Sequence, residues 1–313
     1  MTMRIGINVA QVVRGQPLDL DQLTEQVAAL ARQGFASAWF AHIFGFDALT
    51  AIAVIGRAVP ELELGTAVVP VHPRHPMALA QQALSTQAAV GGRLALGIGL
   101  SHRPVVENMW GYSFEQPAAY LAEYLAIMQP LLRGETVSVR GQRLVGQGQL
   151  MLPPMPAPSL LLAALGPRML RLAGEQSDGT ITWMVGRKTL ETHVTPILRS
   201  AAEAAGRPAP RIVVGLPVCV TSDTEAARAR AARSFERYGQ LPSYRAMLDR
   251  EGAAGPADVA IIGDEAAVQR ELDALEQAGA TDFNASVFGS ADEQERGYAL
   301  LREVVAHGRR AAL

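Results

Sequence analysis

LELGTAVVPVHPRHP, residues 62–76, decides the fold, because it has the pattern of a buried strand, a loop and the start of a helix. Its first half is mostly apolar, and its second half contains His72, Arg74 and His75 before a helix that begins near Met77. In parallel α/β proteins, ligands bind at the loops that leave the carboxyl ends of the strands. We therefore expect this loop to border a ligand site.

The same alternation of strand and helix continues on both sides of this stretch. Strands are predicted at residues 4–9, 37–41, 62–71, 93–99, 159–165, 179–185, 212–220 and 282–288. A hairpin at 136–145 and a short apolar stretch at 259–262 are predicted as additions to this pattern. Residues 100–116 are predicted as a polar loop, and residues 226–238 as the start of a helical region that continues irregularly towards residue 255. About eight strands alternating with helices are typical of a (β/α)8 TIM barrel, which we predict as a single domain over residues 1–313.

Composition excludes several classes of function. The chain has 28 Lys and Arg against 30 Asp and Glu, so it lacks the basic field that nucleic-acid binding uses. No apolar run approaches the roughly 20 residues that span a bilayer, and the N-terminus has the pattern of a strand rather than a signal peptide. We expect a cytoplasmic protein. Its single cysteine, Cys219, lies in an apolar run and is predicted to be a buried structural thiol.

Two glycine-containing turns follow predicted strands. Gly97 and Gly99 lack the third glycine and the directly following helix of a dinucleotide-binding fingerprint, so we interpret them as positions where the backbone approaches a ligand closely. Leu165, Gly166 and Arg168 join a strand to a helix start. Free backbone N–H groups at such a start favour a phosphate, and an arginine adds a cation.

The histidines allow more than one interpretation. His72, His75 and His102 could converge on a metal, but their spacing is loose, and we predict no metal site. His75, directly before a proline, is more simply a helix cap. His42 follows the second strand and is either packed against aromatic neighbours or exchanges a proton near neutral pH.

Four blocks, at residues 64–85, 93–104, 163–181 and 278–283, resemble the luciferase-like monooxygenase family, and within it the oxidoreductases that use the deazaflavin coenzyme F420. The resemblance implies a barrel whose cofactor lies at the carboxyl ends of the strands, its ring backed by a bulge in the third strand. It also implies a cis peptide bond between Ala67 and Val68.

The resemblance further implies roles for individual residues. His42 matches a histidine close to the ring in sugar-phosphate dehydrogenases of this family, although the aspartate that precedes it there is Ala41 here. His102 falls where those enzymes have an acidic residue, and Phe46 where they have a tryptophan of the substrate pocket. His42 and His102 are the candidate catalytic residues.

Other positions match the two turns near the cofactor phosphate or lie at strand ends on the same face. The predicted cofactor-binding residues are Ala67, Val68, Gly99, Leu100, Ser101, Leu165, Gly166 and Arg168. The predicted substrate-pocket residues are Asn8, Phe46, Trp183 and Phe288.

The leading hypothesis is an oxidoreductase that transfers a hydride between C5 of coenzyme F420 and a small organic substrate. The alternatives are an FMN-dependent monooxygenase on the same fold, a non-catalytic flavin-binding or deazaflavin-binding protein, and a metal-dependent hydrolase. Apolar residues within 80–90 are compatible with a homodimer as well as with core packing. We expect no membrane or nucleic-acid partner.

Overall fold

The computed structural model describes residues 3–13 and 15–311 and shows a closed barrel of parallel strands. The barrel strands are β1 (Arg4–Asn8), β4 (Ser37–Phe40), β5 (Glu63–Thr66), β7 (Leu94–Gly99), β10 (Ser159–Leu162), β11 (Gly179–Trp183), β12 (Arg211–Val220) and β14 (Asp282–Val287). They neighbour one another in the order β10-β11-β12-β14-β1-β4-β5-β7, and β7 pairs with β10 to close the circle. The predicted (β/α)8 barrel is confirmed.

The remaining strands extend or decorate the barrel. They are β2 (Val12–Val13), β3 (Gln16–Pro17), β6 (Val69–Pro70), β8 (Val137–Arg140), β9 (Val145–Gly148) and β13 (Ile261–Gly263). β8 and β9 form the predicted antiparallel hairpin, and β2 and β3 form a second one that the sequence pattern did not reveal. β13 pairs with β12, as an accessory strand.

Helices follow the barrel strands and cover the outside of the barrel. They are α1 (Leu20–Arg32), α2 (Ala48–Ala58), α3 (Pro76–Ala89), α4 (Pro117–Leu132), α5 (Pro167–Gln176), α6 (Arg187–Thr189), α7 (Thr195–Ala204), α8 (Thr224–Gly239), α9 (Pro242–Glu251), α10 (Glu265–Gln277) and α11 (Ala291–Ala311). Aspartates cap α1, α2, α8 and α10 by accepting a backbone N–H of the first turn. Within the described ranges, no helix is long and apolar enough to cross a membrane.

Three sequence-based expectations need correction. The polar loop after β7 contains a π-helical turn, Pro104–Met109, and the helical region expected to continue irregularly towards residue 255 consists of two regular helices, α8 and α9. Proline at the first helical position starts the π-helical turn and α9, and Gly252, at a φ of 81°, ends α9 in the left-handed region. The third strand is not continuous, because residues 67 and 68 interrupt it between β5 and β6.

A large aromatic side chain fills the centre of the barrel. Trp39 is fully buried among Ala95, Leu161, Ile181 and Val213. Its indole N–H donates to Ser37 Oγ over 2.8 Å. The barrel therefore has a packed middle layer rather than an open channel.

Below Trp39, at the amino ends of the strands, an ionic layer closes the barrel. We call Arg4, Glu63, Arg211 and Asp282 the barrel floor. Arg211 binds Asp282 through two hydrogen bonds, of 2.9 and 2.6 Å, and also binds Glu63 Oε1 at 2.6 Å. Asp282 is only 2% exposed, so this pairing satisfies a buried carboxylate.

Candidate active site

The opposite end of the barrel, at the carboxyl ends of the strands, has small residues where the floor has large polar ones. We call this end the mouth. The peptide bond between Ala67 and Val68 is cis there, as predicted. A Cβ atom placed on Gly97 or Gly99 would lie 3.0 or 2.8 Å from a methyl carbon of Val68. The two glycines therefore make room for the Val68 side chain, which gives the mouth an apolar platform.

Unusual backbone conformations also mark the mouth loops. Among the described non-glycine residues, positive φ occurs at Ser101 (61°), Gln116 (46°) and Met184 (55°). Ser101 follows Gly99 and the buried Leu100 at the end of β7, and Met184 follows β11. Side chains rarely adopt this region, and such residues cluster at functional sites. Their position makes these loops candidates for ligand binding.

The predicted phosphate site lies at a cleft between two helix starts. The cleft encloses about 500 Å3 and is lined by residues 116–119 and 166–169. Neither α4 nor α5 has a side-chain cap, and their first helical hydrogen bonds begin only at Tyr120 N and Leu170 N. Amides of both first turns and the exposed Arg168 therefore suit an anionic group.

A buried histidine that the sequence pattern did not single out holds this loop in place. His193, only 5% exposed, places its Nε2 2.9 Å from the backbone carbonyl oxygen of Leu165, which accepts the hydrogen bond. Leu165 immediately precedes Gly166, the N-cap residue of α5. His193 thus fixes the backbone from which the helix start projects. The two residues are distant in the chain, so no local motif could indicate their contact.

His42 lies in a polar network behind the loop that follows β4. Its Nδ1 accepts the backbone N–H of Ala48 at 3.2 Å, and its Nε2 lies 3.5 Å from a terminal nitrogen of Arg74. Arg74 in turn hydrogen-bonds Asp47. Gln82 donates to Asp47 and accepts from Arg74. Asp47, the N-cap residue of α2, therefore also orders the surroundings of His42.

This network favours the neutral form of His42. Burial and the positive charge of Arg74 lower the pKa of His42, and the Asp47 carboxylate opposes them only in part. A donor faces each ring nitrogen: the Ala48 N–H faces Nδ1, and Arg74 faces Nε2. Protonation of the ring would leave neither donor with an acceptor on His42. His42 is therefore uncharged at neutral pH, and its lowered pKa makes it a weaker base than a free imidazole.

The other two histidines of the mouth have apolar surroundings. His102 lies 5.5 Å from the ring of Tyr244, measured between centroids, and burial lowers the pKa of His102. His72 stacks on Tyr120 at 4.7 Å, and burial likewise lowers its pKa. Nδ1 of His72 is buried without a hydrogen-bond partner among the described residues. The mouth therefore contains several imidazoles that prefer to be uncharged.

The predicted substrate-pocket residues occupy different parts of the mouth. Asn8 ends β1, and Phe46 lies 41% exposed in the loop between β4 and α2. Trp183 and Phe288 both contact the ring of Phe235, which α8 supplies, at centroid distances of 6.1 and 5.7 Å. The structure thus brings together two of the four predicted residues through a third that was not predicted.

The residues considered as metal ligands or as a nucleophile have structural roles instead. His75 is the N-cap residue of α3, as expected, and its Nδ1 accepts the Met77 N–H at 3.3 Å. Cys219 is fully buried, as predicted, and burial raises the pKa of its thiol. No cluster of three or more His, Cys, Asp or Glu side chains in the described part of the chain could hold a metal ion.

Comparison with known proteins agrees with this geometry. The family model for luciferase-like monooxygenases matches residues 3–307. The 5,10-methylenetetrahydromethanopterin reductase of Methanolobus tindarius is 28% identical over 266 residues, which cover 80% of each chain.

Two solved structures share the fold at 18% sequence identity. The coenzyme F420-dependent tetrahydromethanopterin reductase of Methanopyrus kandleri superposes with a TM-score of 0.80, covering 98% of this chain and 99% of that one. The FMN complex of the oxygenating constituent of 3,6-diketocamphane monooxygenase from Pseudomonas putida superposes with a TM-score of 0.75, covering 97% of both chains.

The barrel, the platform at its mouth and the family match together define an oxidoreductase of the TIM-barrel type. The chain belongs to the luciferase-like monooxygenase family. Relatives and structural neighbours in this family use either coenzyme F420 or FMN.

Proposed function

We propose that the protein is a coenzyme F420-dependent oxidoreductase that transfers a hydride between the deazaflavin and a small organic substrate at the barrel mouth. One observation carries the proposal: an apolar platform and a cleft between two helix starts without side-chain caps lie at the same end of the barrel. A tricyclic ring with a phosphate-bearing tail needs both. When bound, the deazaflavin supplies the hydride chemistry at its C5 atom.

The residues of the mouth bind and orient the cofactor and the substrate. Val68, whose methyl groups pack against Gly97 and Gly99, supports one face of the ring. The first turn of α5 and Arg168 hold the phosphate through backbone N–H groups and a guanidinium. Because the neutral form of His42 is favoured and both of its ring nitrogens face donors, His42 keeps this side of the mouth free of a titrating positive charge.

The experiment that tests this proposal is an equilibrium titration of the protein with coenzyme F420, FMN and FAD, followed by absorbance and fluorescence. We expect coenzyme F420 to bind most tightly. Arg168→Ala should weaken its binding roughly tenfold, the effect of losing one charge-assisted hydrogen bond. Arg171→Ala, an exposed arginine one turn further along α5, is the matched control and should leave the affinity unchanged.

An FMN-dependent monooxygenase is the second candidate. The FMN-bound neighbour covers nearly the whole chain at a TM-score of 0.75, and an apolar platform suits either tricyclic ring. Tighter binding of FMN than of coenzyme F420, with oxygen consumption by the reduced complex, would replace the first proposal by this one. Binding of neither cofactor would overturn both.

A further inference from the structure

Aromatic side chains gather at one side of the mouth, although aromatic residues make up only 5% of the chain. Rings contact one another in an unbroken series, with centroid distances of 5.3 to 6.1 Å. We call this series the aromatic wall; its members are His102, Tyr244, Tyr238, Trp183, Phe235 and Phe288. All six are partly exposed, so the series is a surface rather than a closed core.

The course of the chain places this wall over the mouth. The chain leaves β12 at Val220 and returns in β13, which pairs with residues 218–220. The segment containing α8 and α9 therefore begins and ends at the carboxyl end of the barrel. Phe235 and Tyr238, three residues apart, project from the same face of α8. They meet Trp183, which comes directly from the end of β11.

The wall contains a hydrogen-bond donor that lacks an acceptor. Nε1 of Trp183 is buried and has no hydrogen-bond partner among the described residues. The hydroxyl group of Tyr238 lies close enough to Trp183 for a hydrogen bond between them to oppose the rise in the pKa of Tyr238, but the contact does not have the geometry that would satisfy the indole N–H. An indole N–H that is buried normally finds an acceptor. A ligand oxygen on the wall would provide one.

The charged groups near the wall are engaged elsewhere or exposed. Arg245, next to Tyr244, binds Asp249 at 2.8 Å and two backbone carbonyl groups. Arg230 on α8 is paired with Glu293 at 2.6 Å, and Arg237 is exposed to solvent. Burial raises the pKa of Tyr238 and of Tyr244, so both hydroxyl groups stay neutral. Arg237 acts on Tyr238 from a solvent-exposed position, so it is the one cation named here that an anionic substrate could reach, and a charge placed against the rings themselves would lose hydration without direct pairing.

We propose that the substrate is an uncharged molecule with a bulky apolar or aromatic ring system, which packs on the aromatic wall and accepts a hydrogen bond from Trp183 Nε1 through a carbonyl or hydroxyl oxygen. This inference rests on the proposed oxidoreductase function and names its substrate class. Ring stacking on this wall supplies the affinity, and the indole N–H orients the oxygen-bearing carbon towards the platform.

The test is isothermal titration calorimetry with four probes, performed with and without coenzyme F420. The probes are 2-acetonaphthone (rings and a neutral carbonyl), 2-naphthoate (the same rings with a charge), acetone (the carbonyl without rings) and glucose 6-phosphate (charged and without aromatic rings). We expect 2-acetonaphthone to bind at least tenfold more tightly than each of the others. Tighter or equal binding of any other probe would overturn the inference.

Variants then separate the ring contacts from the hydrogen bond. Trp183→Phe keeps a ring but removes the donor, and should weaken 2-acetonaphthone binding by about three- to tenfold. Phe235→Ala removes a ring from the wall and should weaken it by a similar factor. Tyr298→Ala is the matched control, because it removes a ring from an edge-to-face pair with Phe35 outside the wall. Equal effects of Phe235→Ala and Tyr298→Ala would overturn the inference.

Failure of this inference is distinguishable from failure of the proposed function. If coenzyme F420 binds but the ring-bearing ketone has no advantage, the substrate class is wrong and the cofactor assignment stands. If coenzyme F420 does not bind, the proposed function is wrong, while the titrations without coenzyme still decide whether the wall selects neutral ring systems.

Discussion

The floor and the mouth lie at opposite ends of the same eight strands, and they differ in how their buried polar groups are paired. β14 shows the contrast within one strand, because Asp282 and Asn284 are both only 2% exposed. Asp282 at the floor is fully paired with Arg211, whereas the Asn284 Oδ1 atom, one step nearer the mouth, has no hydrogen-bond partner among the described residues. The buried polar group at the floor is therefore satisfied within the fold, whereas the Oδ1 atom of Asn284 is not.

The largest expected effect comes from breaking the floor. Asp282→Ala leaves Arg211 buried beside Glu63 alone, and should lower the free energy of unfolding by about 3–5 kcal/mol. Urea unfolding followed by circular dichroism measures it. Glu295→Ala, which removes the largely exposed partner of Arg302, is the control and should cost less than about 1 kcal/mol. Similar losses in the two variants would remove the special role of the floor.

At the mouth, the contact between Gly99 and Val68 is tested by adding a methyl group rather than by removing a side chain. Gly99→Ala places a methyl group 2.8 Å from Val68 Cγ2 and 2.9 Å from Ala163 Cβ. We expect it to cost about 1–3 kcal/mol. A second substitution, Val68→Ala, should recover part of this loss, so the double variant should be more stable than the sum of the single effects implies. Strict additivity would contradict the contact between Gly99 and Val68.

Asn284 provides the matched comparison with Asp282. Asn284→Ala removes a carbonyl oxygen that has no partner, so it should cost no more than about 1 kcal/mol of unfolding free energy. The same unfolding experiment measures it. A loss as large as that of Asp282→Ala would show that Asn284 stabilises the fold rather than remaining available to a ligand.

The smallest expected effect is on the pH dependence of stability. The pKa values of His42, His72 and His102 are lowered in the folded protein, so the unfolded chain binds more protons below its histidine pKa of about 6.5. The contribution of these three histidines to the free energy of unfolding is complete above that pH. It is lost as the pH falls from about 6.5 through their lowered pKa values in the folded protein.

Urea unfolding at about pH 7 and about pH 5.5 should therefore give the lower stability at the lower pH. His72→Phe keeps a ring stacked on Tyr120 but cannot titrate, so its stability should fall less between the two pH values. An unchanged pH dependence in this variant would contradict a lowered pKa of His72.

Much of the fold could be predicted because its signals are local. The sequence predicts helices at about residues 117–132 and 167–176, and α4 and α5 agree with these bounds, since a proline starts each helix. β12 was predicted from its apolar run. The helical region after residue 238 was predicted, but α9 was not recognised as a separate regular helix, because its sequence is mostly polar and its apolar periodicity is weak. The break in the third strand came from a family resemblance, because Ala67 and Val68 carry no local signal of it.

Individual residues of the candidate site could be predicted from the sequence, but the contacts between them could not. Strand-end positions such as Trp183 and Gly166 can be located once the barrel is recognised. The pairing of Asp47 with Arg74, and of His193 with Leu165, joins residues far apart in sequence. A paired signal for the aromatic wall did exist in Phe235 and Tyr238, spaced three apart on a polar helix.

The central claim is that the unsatisfied end of the barrel is the deazaflavin site, and a crystal structure with bound coenzyme F420 tests it most directly. We predict that the tricyclic ring packs against Val68 and that the phosphate lies within hydrogen-bonding distance of the first turn of α5. A ring bound away from Val68, or a phosphate bound away from that helix start, would contradict the account.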